Sequence, residues 1–388
     1  MILLAYAFAA AMTGTTLPTP MYALFAADLD FDVVTTTAIY SSYAGGVLFA
    51  LVVMGRWSDA IGRRPVLLAG IGFALGSAVV FLLADSITEL LIGRVLSGLS
   101  AGVFTGTATA AVIEAAPPAW RTRAPAVATV ANIGGLGAGP LLAGILVQYA
   151  PRPLDLSFVV HLALAAAAAI AVLVAPETSP RTGRLGMQRP AVPAQARPAF
   201  VVAALAAFAG FAVSGLFTAV APSFLADVVG ISNHALAGVI VCSIFAASAV
   251  AQIAARAVEP RRAIAAGCAI LILGMLILAA ALYFSSLWGL IAAAVVSGAG
   301  QGISFSRGLA AVSEHTPAGR RAEVSSAYFV VAYVAISLPV IGEGLAAEAW
   351  GLRTAGVVFA VAVAALAAGC LLAIRLRRRT PALAASAS

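Results

Sequence analysis

An ionisable side chain inside a long apolar run is costly to bury, so the few that stand in such runs are the first places to look for chemistry. Arg94, Arg307, Glu343 and His161 are of this kind, and Glu89 precedes Arg94 by five positions. A guanidinium at depth attracts an anion or balances a carboxylate, while a carboxylate or imidazole whose exposure alternates carries a proton. Glu89, His161 and Glu343 are therefore proton-carrying candidates. Each also has a packing alternative: Arg94 snorkels to the surface or pairs with Glu89, Arg307 is neutralised by Glu314 seven residues on, and Glu343 and His161 lie at interfaces. Uncharged polar groups in the same runs, Thr15, Thr16, Asn132, Gln252, Gln301 and Tyr328 foremost, with Tyr40, Tyr43 and Tyr333, have the hydrogen-bonding capacity to line a substrate cavity. Hydroxyls also bond their own helix and amides hold helices together, so packing competes at every one of these positions.

Catalysis would need a dyad or a ligand cluster at one depth. His161, His234 and His315 fall in separate segments, and Cys242, Cys268 and Cys370 each stand alone in apolar surroundings without ligand spacing. The pattern points away from an enzyme, a metal site or a resident cofactor.

The elements that must hold these residues are membrane spans. The chain is 62% hydrophobic and 10% charged, with a mean hydropathy of +1.06, whereas soluble domains are about half apolar and a quarter charged. Runs long enough to cross a bilayer, about 20 residues, occur at 2–25, 36–55, 66–84, 87–112, 124–147, 156–175, 199–225, 235–256, 263–284, 287–311, 324–347 and 352–374. Backbone groups in lipid must be bonded within their own segment, so an all-α polytopic protein of twelve helices is predicted. No arginine precedes the first run, which makes it a span rather than a signal peptide.

All 22 basic residues are arginine. Eighteen, including Arg377, Arg378 and Arg379, fall on one alternating set of segments, against Arg152 and Arg353 on the other set, where Asp28, Asp30, Asp32, Asp85, Asp155 and Asp227 gather. That asymmetry places both termini in the cytoplasm. The charge of +7 is thus an orientation signal and not a nucleic-acid footprint. A Pro- and Arg-rich stretch at 176–198 reads as a cytoplasmic linker between six-helix bundles at 1–175 and 199–375, with a cytoplasmic tail at 376–388.

The bundles repeat. Ser97–Arg121 laid on Ser297–Arg321 without a gap matches nine positions of 25, among them the acid pair Glu114 and Glu314 and the arginine pair Arg121 and Arg321. An offset of six spans makes the repeats parallel, related by an axis along the membrane normal.

Three local motifs sharpen the picture. Between the second and third spans stand Gly55, Asp59, Gly62, Arg63 and Arg64, with glycines suited to a tight turn, an acid able to meet free helix amides and arginines able to reach carboxylates. The fourth span has Arg94 followed by Gly98 and Gly102, and the fifth has Gly135, Gly139, Pro140 and Gly144. With twelve spans in two parallel repeats, these resemble the major facilitator superfamily, and most nearly its twelve-helix drug and proton antiporters and bacterial efflux permeases. By that resemblance, Asp59 would dock near the start of the eleventh span, Arg63 or Arg64 would pair with Glu114, and Arg94 would serve proton coupling. The fifth-span motif departs from the antiporter pattern at Ala126 and Ala143, small for small, and would make a kinked surface against the eighth span that favours export.

The resemblance implies a monomeric secondary transporter in a bacterial inner membrane, exporting a small organic compound in exchange for protons by rocking of the two bundles. Proton-coupled uptake and a non-transporting sensor are the alternatives. Arg94 and Arg307 together would favour neutral or anionic amphiphiles.

Overall fold

The computed structural model describes the backbone of residues 1–385, and side chains through residue 376 apart from that of Ala318. The arginines expected to orient the tail, Arg377, Arg378 and Arg379, lie outside the described side chains. Among the described residues, twelve helices are long and apolar enough to span a membrane. They are α1 (Ile2–Leu29), α2 (Val33–Val53), α3 (Arg63–Leu82), α4 (Ile87–Glu114), α5 (Ala124–Tyr149) and α6 (Leu156–Val174). After a non-helical strap follow α7 (Ala194–Ala219), α8 (His234–Ala257), α9 (Pro260–Tyr283), α10 (Leu287–Glu314), α11 (Arg321–Trp350) and α12 (Leu352–Leu376), whose backbone continues helical to Ala385.

Helix starts follow local chemistry. The Asp32 carboxylate accepts the Thr35 amide at 2.7 Å ahead of α2, and that bond holds it below the usual carboxylate range. Ser86 and Ser286, 200 positions apart, cap α4 and α10, which are both 28 residues long. The first helix of each bundle breaks near its acidic end. Regular α-helix stops at Thr16 before Pro18 and Pro20, and at Ala219 before Pro222, because a proline supplies no amide to the preceding turn. The seventh span consequently ends six residues before the boundary read from hydropathy, and the chain goes on as a π-turn at Phe224–Val228.

Packing repeats with the sequence. A side chain at Gly98 or Gly102 would strike α2 at Tyr43 or Ala50, and one at Gly298 or Gly302 would strike α8 at Ile244 or Ser248. Thus α4 seats on α2 as α10 seats on α8, the close approach that small residues permit in lipid. The same correspondence recurs at the arginine-rich end, where Arg64 donates to the Ala175 carbonyl after α6 and Arg261 to Ile374 of α12 at 2.6 Å. Two pseudo-symmetric six-helix bundles result, meeting chiefly through α5 with α8 and α2 with α11.

Candidate functional site

A cavity of about 70 Å³ lies where the bundles meet, lined by Thr15 and Thr16 of α1, Tyr40 and Tyr43 of α2, Arg94 and Thr105 of α4, and Asn132 and Leu136 of α5. The other bundle contributes Phe211, Ser214, Phe245, Gln301, Phe305, Phe329, Tyr333 and Ile336. Its polar capacity is mostly spent. Thr16 donates to the Leu136 carbonyl at 2.7 Å, Thr15 to Met12 of its own helix, and the Gln301 carbonyl oxygen accepts Ser248 at 2.6 Å. Among the described residues the Asn132 amide has no partner, and Gln301 keeps its amide donors. Drug-sized ligands need roughly 300 Å³ or more, so this constricted space must widen to admit one.

Arg94 is the only charged residue among those lining the cavity, and it is 2% exposed. Its guanidinium donates to the Thr15 carbonyl at 2.5 Å and the Tyr40 carbonyl at 3.2 Å, and lies 4.8 Å from the Tyr43 ring centroid. The break in α1 places the Thr15 carbonyl within its reach, so the arginine ties α1, α2 and α4 together while facing the cavity. Neither the expected pairing with Glu89 nor an outward snorkel is made. Glu89 sits at the mouth of α4 as a capping-box acid, accepting the amides of Asp85 at 2.7 Å and Ser86 at 3.1 Å. That position is a helix cap.

The two remaining titratable candidates are buried away from the cavity. His161 is 2% exposed and fills the space left by Gly14, in a small polar chamber with Ser77, Ser97 and Ser100 that shares Thr15 with the cavity. Among the described residues its Nδ1 and the Ser100 hydroxyl have no partner. Glu343, 3% exposed, has a carboxylate oxygen without a partner among the described residues and precedes Gly344, which rests on Thr37 of α2.

Three cavity expectations are corrected. Arg307 lies near the arginine-rich end of α10 and donates to the Arg256 carbonyl at 3.0 Å, pairing with neither substrate space nor Glu314. Tyr328 is fully buried in a separate cluster, donating to Phe305 at 3.2 Å. Gln252 reaches the cavity only through Ser248, to which it donates at 3.2 Å. The polarity of these residues is visible in sequence, but helix rotation decides which face each occupies.

At the arginine-rich end, Arg63 joins Asp59 at 2.6 Å and Glu114 at 2.9 Å, with Ser58 at 2.7 Å. The Arg63 and Glu114 pair is the expected one. Asp59, expected on α11, instead stays with its own bundle, and its backbone carbonyl accepts the Gly183 amide at 3.0 Å. Among the described residues Arg121, Glu314 and Arg321 form no ion pair, so of the expected charge partners Glu114 alone is engaged.

The strap between the bundles supplies what the sequence reading missed. Gly62 opens α3 at a φ of 116° and offers no capping side chain. Glu177 fills that role from 114 positions away, accepting the amides of Arg63 at 2.8 Å and Arg64 at 3.2 Å. Partial burial raises its carboxyl, but the amides of Ser179, Arg63 and Arg64 with the Arg181 side chain more than offset this and hold it below the ordinary range. Farther along, Gln188 donates its amide to Val52 at 2.7 Å and walls a second cavity of about 170 Å³ with Met54, Gly55 and Gly106. Phe329 is common to the linings of both cavities, and the second lies on the arginine-rich side of the first.

The acidic end is sealed. Ser41 of α2 and Ser337 of α11 exchange hydroxyl-to-carbonyl bonds at 3.3 and 3.4 Å, and Tyr43 and Tyr333 lie 6.2 Å apart. Gly144 and the Pro140 carbonyl meet α8 at His234 and Gly238, while the His234 amide donates to Gln148 at 2.9 Å. The glycine motif therefore has two faces. Gly144 and Pro140 serve the α5 contact with α8 as expected, whereas Gly135 and Gly139 serve α1, where a Cβ would fall 2.6 Å from the Ala9 oxygen and 2.5 Å from Thr16 Oγ1.

Comparison with known proteins agrees with this architecture. An uncharacterised transporter from Mycobacterium tuberculosis is 33% identical over 139 residues, 36% of this chain and 20% of that protein. The multidrug transporter MdfA of Escherichia coli is 34% identical over 145 residues, 37% of this chain and 35% of the relative. The matched stretches thus span about a fifth to a third of these relatives' lengths. Among solved structures, the nucleoside transporter NupG superposes with a TM-score of 0.74 at 13% identity, covering 96% of this chain and 98% of that one. A bacterial homologue of the human lysosomal transporter Spinster, in an inward-facing and occupied conformation, gives 0.71 at 16% identity with 96% of each chain covered. The profile of the Major Facilitator Superfamily matches residues 3–339, and the chain belongs to that superfamily.

Proposed function

We propose that this transporter exports a small organic compound across a bacterial inner membrane in exchange for protons, by alternating access of its two bundles. The observation that carries the reading is the central cavity, shared by both bundles and closed at the acidic end by α2 with α11 and α5 with α8, with a second cavity beyond Phe329 on the arginine-rich side. On the reading that the arginine-rich face and both termini are cytoplasmic, this conformation is closed toward the outside. The compact α5 and α8 contact around Gly144 supports export, as does the partial likeness to a multidrug transporter.

The aromatic lining and the free amide of Asn132 suit a flat amphiphile with one polar group, and Arg94 makes the site receptive to neutral or anionic compounds. Binding widens the cavity from the cytoplasmic side. Burial and incomplete bonding of titratable side chains support His161 and Glu343 as proton carriers. Arg94 acts by positioning α1, α2 and α4 around the site.

The test is proton release from energised everted vesicles, followed with a pH-sensitive dye during addition of drugs, sugars and metabolites. Compound-dependent release that disappears in Gly144→Val supports proton-driven export. Compound uptake into right-side-out vesicles driven by an inward proton gradient would replace export by symport.

A further inference from the structure

Another and larger space lies on the flank of the first bundle. Between α1 and α5 runs a groove of about 740 Å³, from Ile2 at the arginine-rich end to Thr13 and Ala138 near mid-membrane. Eleven residues of helix at about 1.5 Å each make it roughly 16 Å long, the hydrocarbon depth of one leaflet. Its walls are apolar, and the Thr13 hydroxyl is already committed to Ala9 at 2.9 Å. It faces outward: Val130 is 52% exposed, whereas Asn132 and Leu136, on another face of α5, line the central cavity. The rim at the arginine-rich end has a different chemistry. Trp120 is 44% exposed, and the Arg123 guanidinium lies 5.6 Å from its ring centroid. Arg121 and Arg123 are exposed and in no ion pair among the described residues, and the segment from Ala115 to Arg123 contains no acid. Glu114, the adjacent acid, is held by Arg63.

We propose that this groove is a binding site for one anionic glycerophospholipid of the leaflet on the arginine-rich side. An acyl chain lies between α1 and α5, and the phosphate meets Arg121 and Arg123 at the level of the Trp120 ring. The site is separate from the substrate cavity, with α5 as the partition, so its occupant braces α1 against α5 instead of being carried.

Native mass spectrometry of the detergent-purified full chain tests this, with phosphatidylglycerol, phosphatidylcholine of the same acyl chains, or inorganic phosphate added. Phosphatidylglycerol should remain as a single adduct under activation that strips phosphatidylcholine, and inorganic phosphate should not compete. Gly134→Leu should remove the adduct. A Cβ there meets only Val130, at 3.8 Å, so the leucine fills the groove without forcing α1 and α5 apart. Arg121→Ala with Arg123→Ala should weaken phosphatidylglycerol about thirtyfold and erase its preference over phosphatidylcholine. Unchanged melting temperatures would show that both variants are folded. Equal retention of the two lipids by the native chain overturns the proposal, as does an adduct that survives both variants. Displacement by millimolar phosphate would leave a headgroup site alone and overturn the groove as its acyl half.

Discussion

If the bundles rock, the most direct lever is the reciprocal pair between Ser41 and Ser337, since it ties them together at the sealed end. A net intramolecular hydrogen bond stabilises by about 0.5–1.5 kcal/mol. At 3.3 and 3.4 Å these two are long, so the lower end applies to each and the pair contributes about 1 kcal/mol. The accepting carbonyls lie inside helices and keep their helical partners, so replacing both serines by alanine leaves no buried oxygen orphaned. The expected effect is therefore a shift of about fivefold in the ratio of outward-open to outward-closed molecules, at 1.4 kcal/mol per factor of ten. Spin labels at Asp85→Cys and Phe284→Cys, on acidic-end turns of opposite bundles, report that ratio by pulsed electron resonance once the native cysteines are replaced. The long-distance fraction should grow in Ser41→Ala with Ser337→Ala, and vanish when Ser41→Cys and Ser337→Cys are oxidised. Identical distance distributions in the alanine pair, or undiminished transport by the oxidised cysteine pair, would refute closure at this contact.

Other predictions bear on the arginine-rich end, the cavity and the coupling groups. Glu177→Gln should lower the melting temperature at pH 7 by the equivalent of about 1 kcal/mol, as expected for a lost helix cap. Because the folded carboxyl lies below its ordinary value, its contribution is full above about pH 5 and fades as pH falls through the depressed folded value. The difference between native and variant melting curves should therefore close in acid, and a gap that persists at pH 2.5 would show that the effect is not electrostatic. Asp59→Asn should impair flux while leaving insertion and yield intact, and a full-rate variant would make the loop a topology signal only. Asn132→Ala should weaken substrate binding by about 5- to 100-fold, the loss of one buried hydrogen bond, whereas Arg307→Ala should change affinity little; scintillation binding to purified protein separates the two. Glu343→Gln should preserve fold and binding while abolishing proton movement per substrate, and an unchanged proton stoichiometry would leave His161 to be tested by His161→Gln.

Much of this molecule was legible without coordinates. Twelve spans follow from the cost of exposing peptide groups to lipid, and the 200-residue repeat carries into paired caps at Ser86 and Ser286 and equal lengths for α4 and α10. That Arg63 or Arg64 would pair with Glu114 followed from the family resemblance, and the structure makes the pair with Arg63. Which polar residues share the cavity was not legible, because rotation of a helix apolar on every side is set by its neighbours and not by its own pattern. Hence Thr15, Asn132 and Gln301 reach the cavity while Tyr328 and Arg307 do not. Nor does sequence show that Glu89 is spent on a cap, or that Glu177 caps a helix 114 positions away. Local chemistry dictated the elements and their ends; only tertiary packing decided which charges meet, because those distances depend on how the bundles close on one another.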